Sequence, residues 1–303
     1  MLAPEIIKKH KLQNRLHTIV LFASMIAIVA LLGFLLAGKV GLSVAAIFGL
    51  LLMFLAPRIS PKLILKMYKV HPILPENAPN LHQMITLLAQ RADLPAVPKL
   101  YYIPGTTMNA FAVGAPKSAH IAITEGVLKK LTSRELAGVL AHEVSHVSNN
   151  DMRVMSFADI MSRLTSLLAN LGKLLLLVSL PLYLMGRMQV PWIAILLLLF
   201  APRIVGLLQL ALSRTREFNA DLHAALLTND PLGLAEALEK VEYYSGNWLH
   251  QIMRPGRGGV EPSIFRSHPD TKERIARLQS MEQPQQPFMH FSDGEAPSLV
   301  LEQ

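Results

Sequence analysis

The chain has 303 residues, enough for one large or two ordinary domains. It is 51% hydrophobic but only 17% charged, against a usual charged share of roughly 25%, so part of it is solvated by lipid rather than water. Cysteine is absent, which excludes disulfides and thiolate metal sites and leaves imidazole and carboxylate to bind any metal. The formal net charge of +8 is spread over residues that flank apolar segments, a positive-inside pattern that sets nucleic-acid binding aside.

Residues 1–15 are short and basic, with Lys8, Lys9, Lys11 and Arg15, and Leu16 to Gly38 then contains no Asp, Glu, Lys or Arg. That span exceeds the roughly 7–15 apolar residues of a signal peptide and matches the about 20 needed to cross a bilayer. A second charge-free span, Val40 to Pro57, follows after Lys39. Two spans so closely joined predict a transmembrane hairpin. Basic residues stand before it and again after it, at Arg58, Lys62, Lys66 and Lys69, which places both ends on the cytoplasmic side.

Residues 58–135 read as mixed and water-soluble. Helical spacing is expected over Asn77 to Arg91, through Leu81, Met84, Leu87 and Leu88. Lys99 to Ile103, Ala110 to Val113 and Ala119 to Ile123 are short strand candidates between Pro, Gly and Lys turns. Thr124 to Lys130 reads as helix, and Ser133 is the expected N-cap of the next one, whose apolar face is Leu136, Val139 and Leu140.

A second apolar region runs from Leu164 to Leu212, interrupted by Lys173, Pro181, Arg187, Pro191, Pro202 and Arg203. Leu174–Gly186 and Met188–Pro202 are each short for a full crossing. A second transmembrane hairpin is the preferred reading, with a re-entrant or surface-lying pair and a buried helical pair left open. Thr215 to Leu227, Pro231 to Tyr244 and Thr271 to Met281 are expected helices. Gly256, Gly258 and Gly259 mark a loop, and the Pro- and Gln-rich tail from Glu282 is expected to be disordered. The implied organisation is 1–57, a basic segment and first hairpin; 58–163 and 213–281, two parts of one catalytic domain; 164–212, the second hairpin; and 282–303, a tail.

The chemistry concentrates in Ala141-His142-Glu143-Val144-Ser145-His146. Residues four apart on a helix share a face, so His142 and His146 can both point at one metal. Glu143 lies about a third of a turn away, suited to act as base on a metal-bound water. Chance produces the pattern in a chain of this length on the order of one time in a hundred. A catalytic zinc takes three protein ligands and keeps one position open. Glu217 is the best third candidate, and Asp221, one helical turn on, can accept the outer N–H of a ligand histidine. The bland reading makes both surface carboxylates paired with Arg214 and Arg216.

The chain resembles the HtpX-type membrane metallopeptidases, a branch of the gluzincins related more distantly to CaaX prenyl proteases. The resemblance is carried by Met108 to Gly114, Thr124-Glu125-Gly126, the His142–Asp151 stretch, Ser213–Asp221 and Ser267-His268-Pro269-Asp270. It implies a mainly α fold with a small β-sheet, a gluzincin-like domain attached to transmembrane hairpins. It implies one zinc ion on His142, His146 and Glu217, Glu143 as general base and Asp221 orienting His142. By the same resemblance, Asn109, Ala110, Phe111, Ala112, Val113 and Gly114 form an edge strand that pairs with an extended substrate backbone. His268 would stabilise the oxyanion of the tetrahedral intermediate, or else His268-Pro269-Asp270 caps the last helix. Asp270 replaces a second proline common in the family, and Lys173 interrupts an apolar segment.

The remaining histidines read as ordinary. His223 is turned about 200 degrees from Asp221 and should face away; His10, His17, His71, His82, His120, His250 and His290 have no partner at ligand spacing. The resulting expectation is a zinc endopeptidase of a prokaryotic inner membrane, its site facing the cytoplasm, acting on misfolded or membrane proteins in quality control and stress response. Cleavage inside the bilayer is disfavoured by Lys129, Lys130, Arg134 and Glu135 just before the motif. Two rivals remain: a non-catalytic membrane scaffold or chaperone with a structural zinc, and a carboxylate-bridged di-metal bundle. The bundle needs a second Glu-x-x-His besides Glu143–His146, and none is found.

Overall fold

In the computed structural model, residues 4–55, 61–187, 192–245 and 271–281 are described. They divide into two compact units. One comprises Met1–Asn14, Ile59–Met152 and Arg216–Gln303; the other comprises Arg15–Arg58 and Arg153–Thr215.

The first unit is built on a four-stranded sheet of β1 (His71–Pro72), β2 (Lys99–Ile103), β3 (Ala110–Val113) and β4 (His120–Thr124), in the order β1-β2-β4-β3. β2 and β4 are parallel, with Leu100 opposite Ile121, while β1–β2 and β3–β4 are antiparallel. Alternation along β4 splits its side chains between two cores. Ile121 and Ile123 join Leu81, Ile85 and Leu88 of α3 (Pro79–Arg91) and Leu136 and Leu140 of α5 (Ser133–Ser148). Ala122 joins Phe111, Val113 and the Ile64–Leu65 pair of α2 (Pro61–Met67) on the other face. Short α4 (Glu125–Lys130) follows β4 directly, and α8 (Pro231–Ser245) packs on both α5 and α9 (Thr271–Ser280). β3 is therefore a sheet edge, the position that the resemblance implied.

Local differences from the sequence reading have simple causes. β4 begins one residue later than expected, at His120, because its register is set by pairing with β2. β1 is only two residues long, too short for a periodic signal. The N-cap of α5 is Thr132 rather than Ser133. Thr132 accepts from the Glu135 N–H and Glu135 returns a bond to the Thr132 N–H, the reciprocal capping box of a Thr-x-x-Glu run.

The second unit contains the apolar helices. α1 (Pro4–Leu55) is broken at Ala37 and Gly38, where Gly38 takes φ +56°, open to glycine at little cost. A Cβ on Gly41 would lie 2.0 Å from the Gly33 carbonyl oxygen, so the two arms touch backbone to backbone and form the expected hairpin. α6 (Asp151–Leu184) and α7 (Trp192–Thr228) follow, each contributing residues to both units. Instead of short crossings, they are 34 and 37 residues long and run through Pro181 and Pro202. Among the described residues, three helices are long and apolar enough to cross a membrane. The small interior of this unit includes Met25, Val29, Ala45, Met161, Leu164 and Val205. Ile47, Leu177, Val178, Trp192 and Leu207 are each about two-thirds exposed or more, the mark of a surface whose solvent is hydrocarbon.

Candidate metal centre

The site assembles within the first unit, from α5, the start of α6, the end of α7 and α9. Leu136, Leu140 and Val144 bury one stripe of α5. That burial fixes the roll of the helix, so His142 and His146 share the face turned toward Glu217 of α7. The Nε2 atoms of His142 and His146 lie 3.0 Å apart. Glu217 Oε2 is 3.5 Å from the first and Glu217 Oε1 is 3.5 Å from the second. Among the described residues, these three form the group able to hold a metal, with all ligand atoms within 4.8 Å of one another. Zinc bonds of about 2.0–2.2 Å in a tetrahedron put ligand atoms roughly 3.3–3.6 Å apart, which both Glu217 distances match while the two histidine nitrogens stand slightly closer. The donor set fits.

The outer ring nitrogens decide the tautomers. His142 Nδ1 lies 3.0 Å from Asp221 Oδ1, and His146 Nδ1 lies 2.8 Å from Asp151 Oδ2. With both Nδ1–H groups donating to carboxylates, both Nε2 lone pairs converge with Glu217 on one point. Three electron-rich atoms so placed repel unless a cation lies among them. In the metal-free protein a proton serves instead. Burial and the adjacent His146 push His142 down, but its bonds to Asp221 and Glu217 outweigh them and its pKa is raised. Burial also opposes charge on His146, yet Asp151 and Glu217 hold it well above the usual imidazole range.

Charge balances around the point of convergence. Glu143, Asp151, Glu217 and Asp221 face the guanidinium groups of Arg216 and Arg274, leaving two negative charges for a divalent cation. Arg216 pairs with Asp151 at 3.3 Å, and Glu217 and Asp221 are both under 10% exposed. They are therefore not the surface carboxylates of the bland reading.

Glu143 sits beside this set and is itself 9% exposed. Its Oε2 accepts a 2.8 Å bond from the N–H of Ala112, in the middle of edge strand β3. Asn109 is bonded in the other direction, since its carbonyl accepts from the Thr124 N–H and hydroxyl. Strand alternation then points Ala110 and Ala112 toward the free edge and Phe111 and Val113 toward β4. Of the Asn109–Gly114 segment, the strand itself is Ala110–Val113, and Gly114 leaves it with φ +106°. His268 lies outside the described residues. His223 is apart from the metal group, its ring 3.2 Å from Asn149 Nδ2.

Two residues had no assigned role in the sequence reading. Asp151, five positions after His146, lies 2.8 Å from the outer nitrogen of that ring. Arg274 of α9 binds both oxygens of Asp221 and reaches Glu217. Its signal was a charged residue on the buried stripe of α9, one turn from Leu278.

Comparison with known proteins agrees with this geometry. Residues 75–282 match the model of peptidase family M48. The chain is 36% identical over 281 residues to a protease HtpX homolog of Methylibium petroleiphilum, covering 88% of this chain and 98% of that one. The chain belongs to peptidase family M48. A second M48 relative, a protease HtpX homolog of Ralstonia nicotianae, is 34% identical over 288 residues, with 89% and 97% covered. Among solved structures, S. mikatae Ste24p superposes with a TM-score of 0.52 at 21% identity, over 89% of this chain and 66% of that one. That likeness speaks for the fold, and the chain spans just under two thirds of that protein's length. Together the M48 match, the HtpX relatives and the three apolar helices make this a membrane-integral metalloprotease, whose substrates are proteins. M48 peptidases are zinc-dependent in general, which the His142–His146–Glu217 donor set suits.

Proposed function

We propose that the protein is a zinc endopeptidase that hydrolyses peptide bonds in unfolded or membrane proteins at the cytoplasmic face of a prokaryotic inner membrane. His142, His146 and Glu217 would hold one zinc ion. The observation that carries the reading is the position of Glu143, beside the ligand set and bonded to the free edge of β3. A structural zinc site closes its fourth position and needs no base beside it.

When bound, zinc would supply Lewis acidity, polarising the scissile carbonyl and lowering the pKa of a coordinated water toward about 7. Glu143 takes a proton as the water attacks and returns it to the leaving amine. Asp221 and Asp151 keep the two imidazoles in the tautomer that presents Nε2. Extended substrate backbone adds to β3 at Ala110, next to the Ala112 N–H that Glu143 occupies, and main-chain pairing of this kind tolerates many side-chain sequences, as clearance of misfolded protein requires. His268 would stabilise the oxyanion by the family resemblance, unless His268-Pro269-Asp270 only caps the last helix.

The test compares wild type with Glu143→Gln, both purified in detergent with zinc, on an unfolded protein substrate. Chelator-sensitive cleavage by wild type is expected, with the variant keeping its zinc and losing turnover by at least about a hundredfold. Cleavage at the wild-type rate by Glu143→Gln would refute Glu143 as base. Failure of both proteins to cleave despite bound zinc would favour a scaffold role.

A further inference from the structure

Arg274 is 4% exposed, in a helix whose other polar residues lie largely at the surface. Burying a guanidinium is costly unless it finds partners, and the partners Arg274 finds all stand around the metal centre. Nε donates to Asp221 Oδ2 at 2.8 Å and Nη2 to Asp221 Oδ1 at 2.7 Å. Nη1 reaches Glu217 Oε2 at 3.2 Å, and Nη2 is 3.5 Å from His142 Nδ1. The same Asp221 Oδ1 that accepts from Arg274 also faces His142 Nδ1 at 3.0 Å.

We infer that Arg274 is a positioning residue for the metal, clamping Glu217 and Asp221 so that the third ligand and the ring of His142 keep their aim. The inference rests on reading His142, His146 and Glu217 as the metal ligands. Glu217 and Asp221 stand one turn apart on the same face of α7, where two carboxylates repel. A planar fork between them removes the repulsion and limits rotation of each carboxylate. A lysine offers a single point of charge and cannot make the bidentate bond to Asp221 while reaching Glu217. The helix that delivers Arg274 is itself pinned. Ile275 and Leu278 enter the core, and the Arg277 guanidinium lies 3.7 Å over the Phe218 ring of α7. α9 thereby acts as a clasp on the ligand-bearing end of α7.

Positioning and plain Coulomb repulsion predict opposite signs. Were Arg274 only a positive charge beside a dication, its removal would tighten zinc. If it holds the ligands, its removal loosens zinc, by the roughly 10–100-fold typical of lost outer partners. The experiment uses the full chain in detergent, with zinc alone as probe and a colorimetric chelator as acceptor. Zinc transfer from Arg274→Met and Arg274→Lys should be at least about tenfold faster than from wild type, and the visible spectrum of the cobalt-substituted protein should change in both. Leu278→Ala serves as control for a merely structural loss, lowering the melting temperature while leaving the cobalt spectrum as in wild type. Should Arg274→Met fail to fold, Arg274→Lys keeps the buried positive charge and decides the matter. Wild-type zinc release and an unchanged cobalt spectrum in the folded variants would overturn the inference alone. A wild-type protein that binds no zinc would overturn the metal-site reading and the inference together.

Discussion

At the scale of single residues, the site is a set of side chains whose second contacts matter as much as their first. His146 owes its tautomer to Asp151 at 2.8 Å. Replacing Asp151 with Asn removes the charge and presents an amide that can turn its NH2 to the ring. Zinc affinity should fall by about 10–100-fold, measured by competition with a chelator at fixed pH; unchanged affinity would mean that Asp151 serves only Arg216. Acid should act on the same pair. Both histidine pKa values are raised, so the metal-free site holds protons above the free-histidine value of about 6.5 and must release them on binding zinc. Affinity is therefore expected to weaken as pH falls from 8 to 6. Stability of the metal-free protein runs the other way. A raised folded-state pKa contributes stability fully present below the unfolded value and lost as pH rises through the folded one. Melting of the chelated protein should accordingly shift downward between pH 6 and 8, and an upward shift would contradict the assignment.

At the scale of elements, β3 is bonded directly to Glu143, so the proposed substrate strand and the proposed base meet in one place. It is an edge strand of four residues whose Ala112 N–H is taken by Glu143, which leaves the Ala110 end of the edge to take an added chain. Ala110→Pro would remove an N–H that points away from β4, so the sheet loses no internal bond. If substrate adds here, KM should rise about fivefold for the roughly 1 kcal/mol of one main-chain bond, with kcat and melting temperature retained. An unchanged KM would place the substrate elsewhere. The strand at Ala110–Val113 and the i,i+4 spacing of His142 with His146 were legible in the sequence because both depend on local periodicity, whereas the edge position of the strand was implied only by the family resemblance. Other elements were not. The start of α6 at Asp151 was hidden by the polar residues before Leu164, and α7 was split on paper by Pro202, which helix packing tolerates. Arg274 could not be assigned from its own helix, since its partners stand on α7, more than fifty residues earlier in the chain.

At the scale of the whole molecule, the distribution of basic residues predicts which side of the membrane meets the substrate. The basic residues at both ends of the first hairpin, Lys8 to Arg15 and Arg58 to Lys69, predict a cytoplasmic location for those ends under the positive-inside rule. Gly38, at the tip of that hairpin, then faces the opposite side. The absence of cysteine makes this directly measurable, because a single introduced thiol is the sole target of a maleimide. Lys117, an exposed residue in the turn between β3 and β4, reports on the catalytic unit, and Lys39 reports on the hairpin tip. In intact bacterial cells with a permeabilised outer envelope, an impermeant maleimide should label Lys39→Cys and spare Lys117→Cys. Inverted inner-membrane vesicles should show the reverse. Labelling of Lys117→Cys from outside would invert the topology and turn the peptidase toward the envelope. Its substrates would then be exported proteins, because a tethered site can cleave only what reaches its own face of the bilayer.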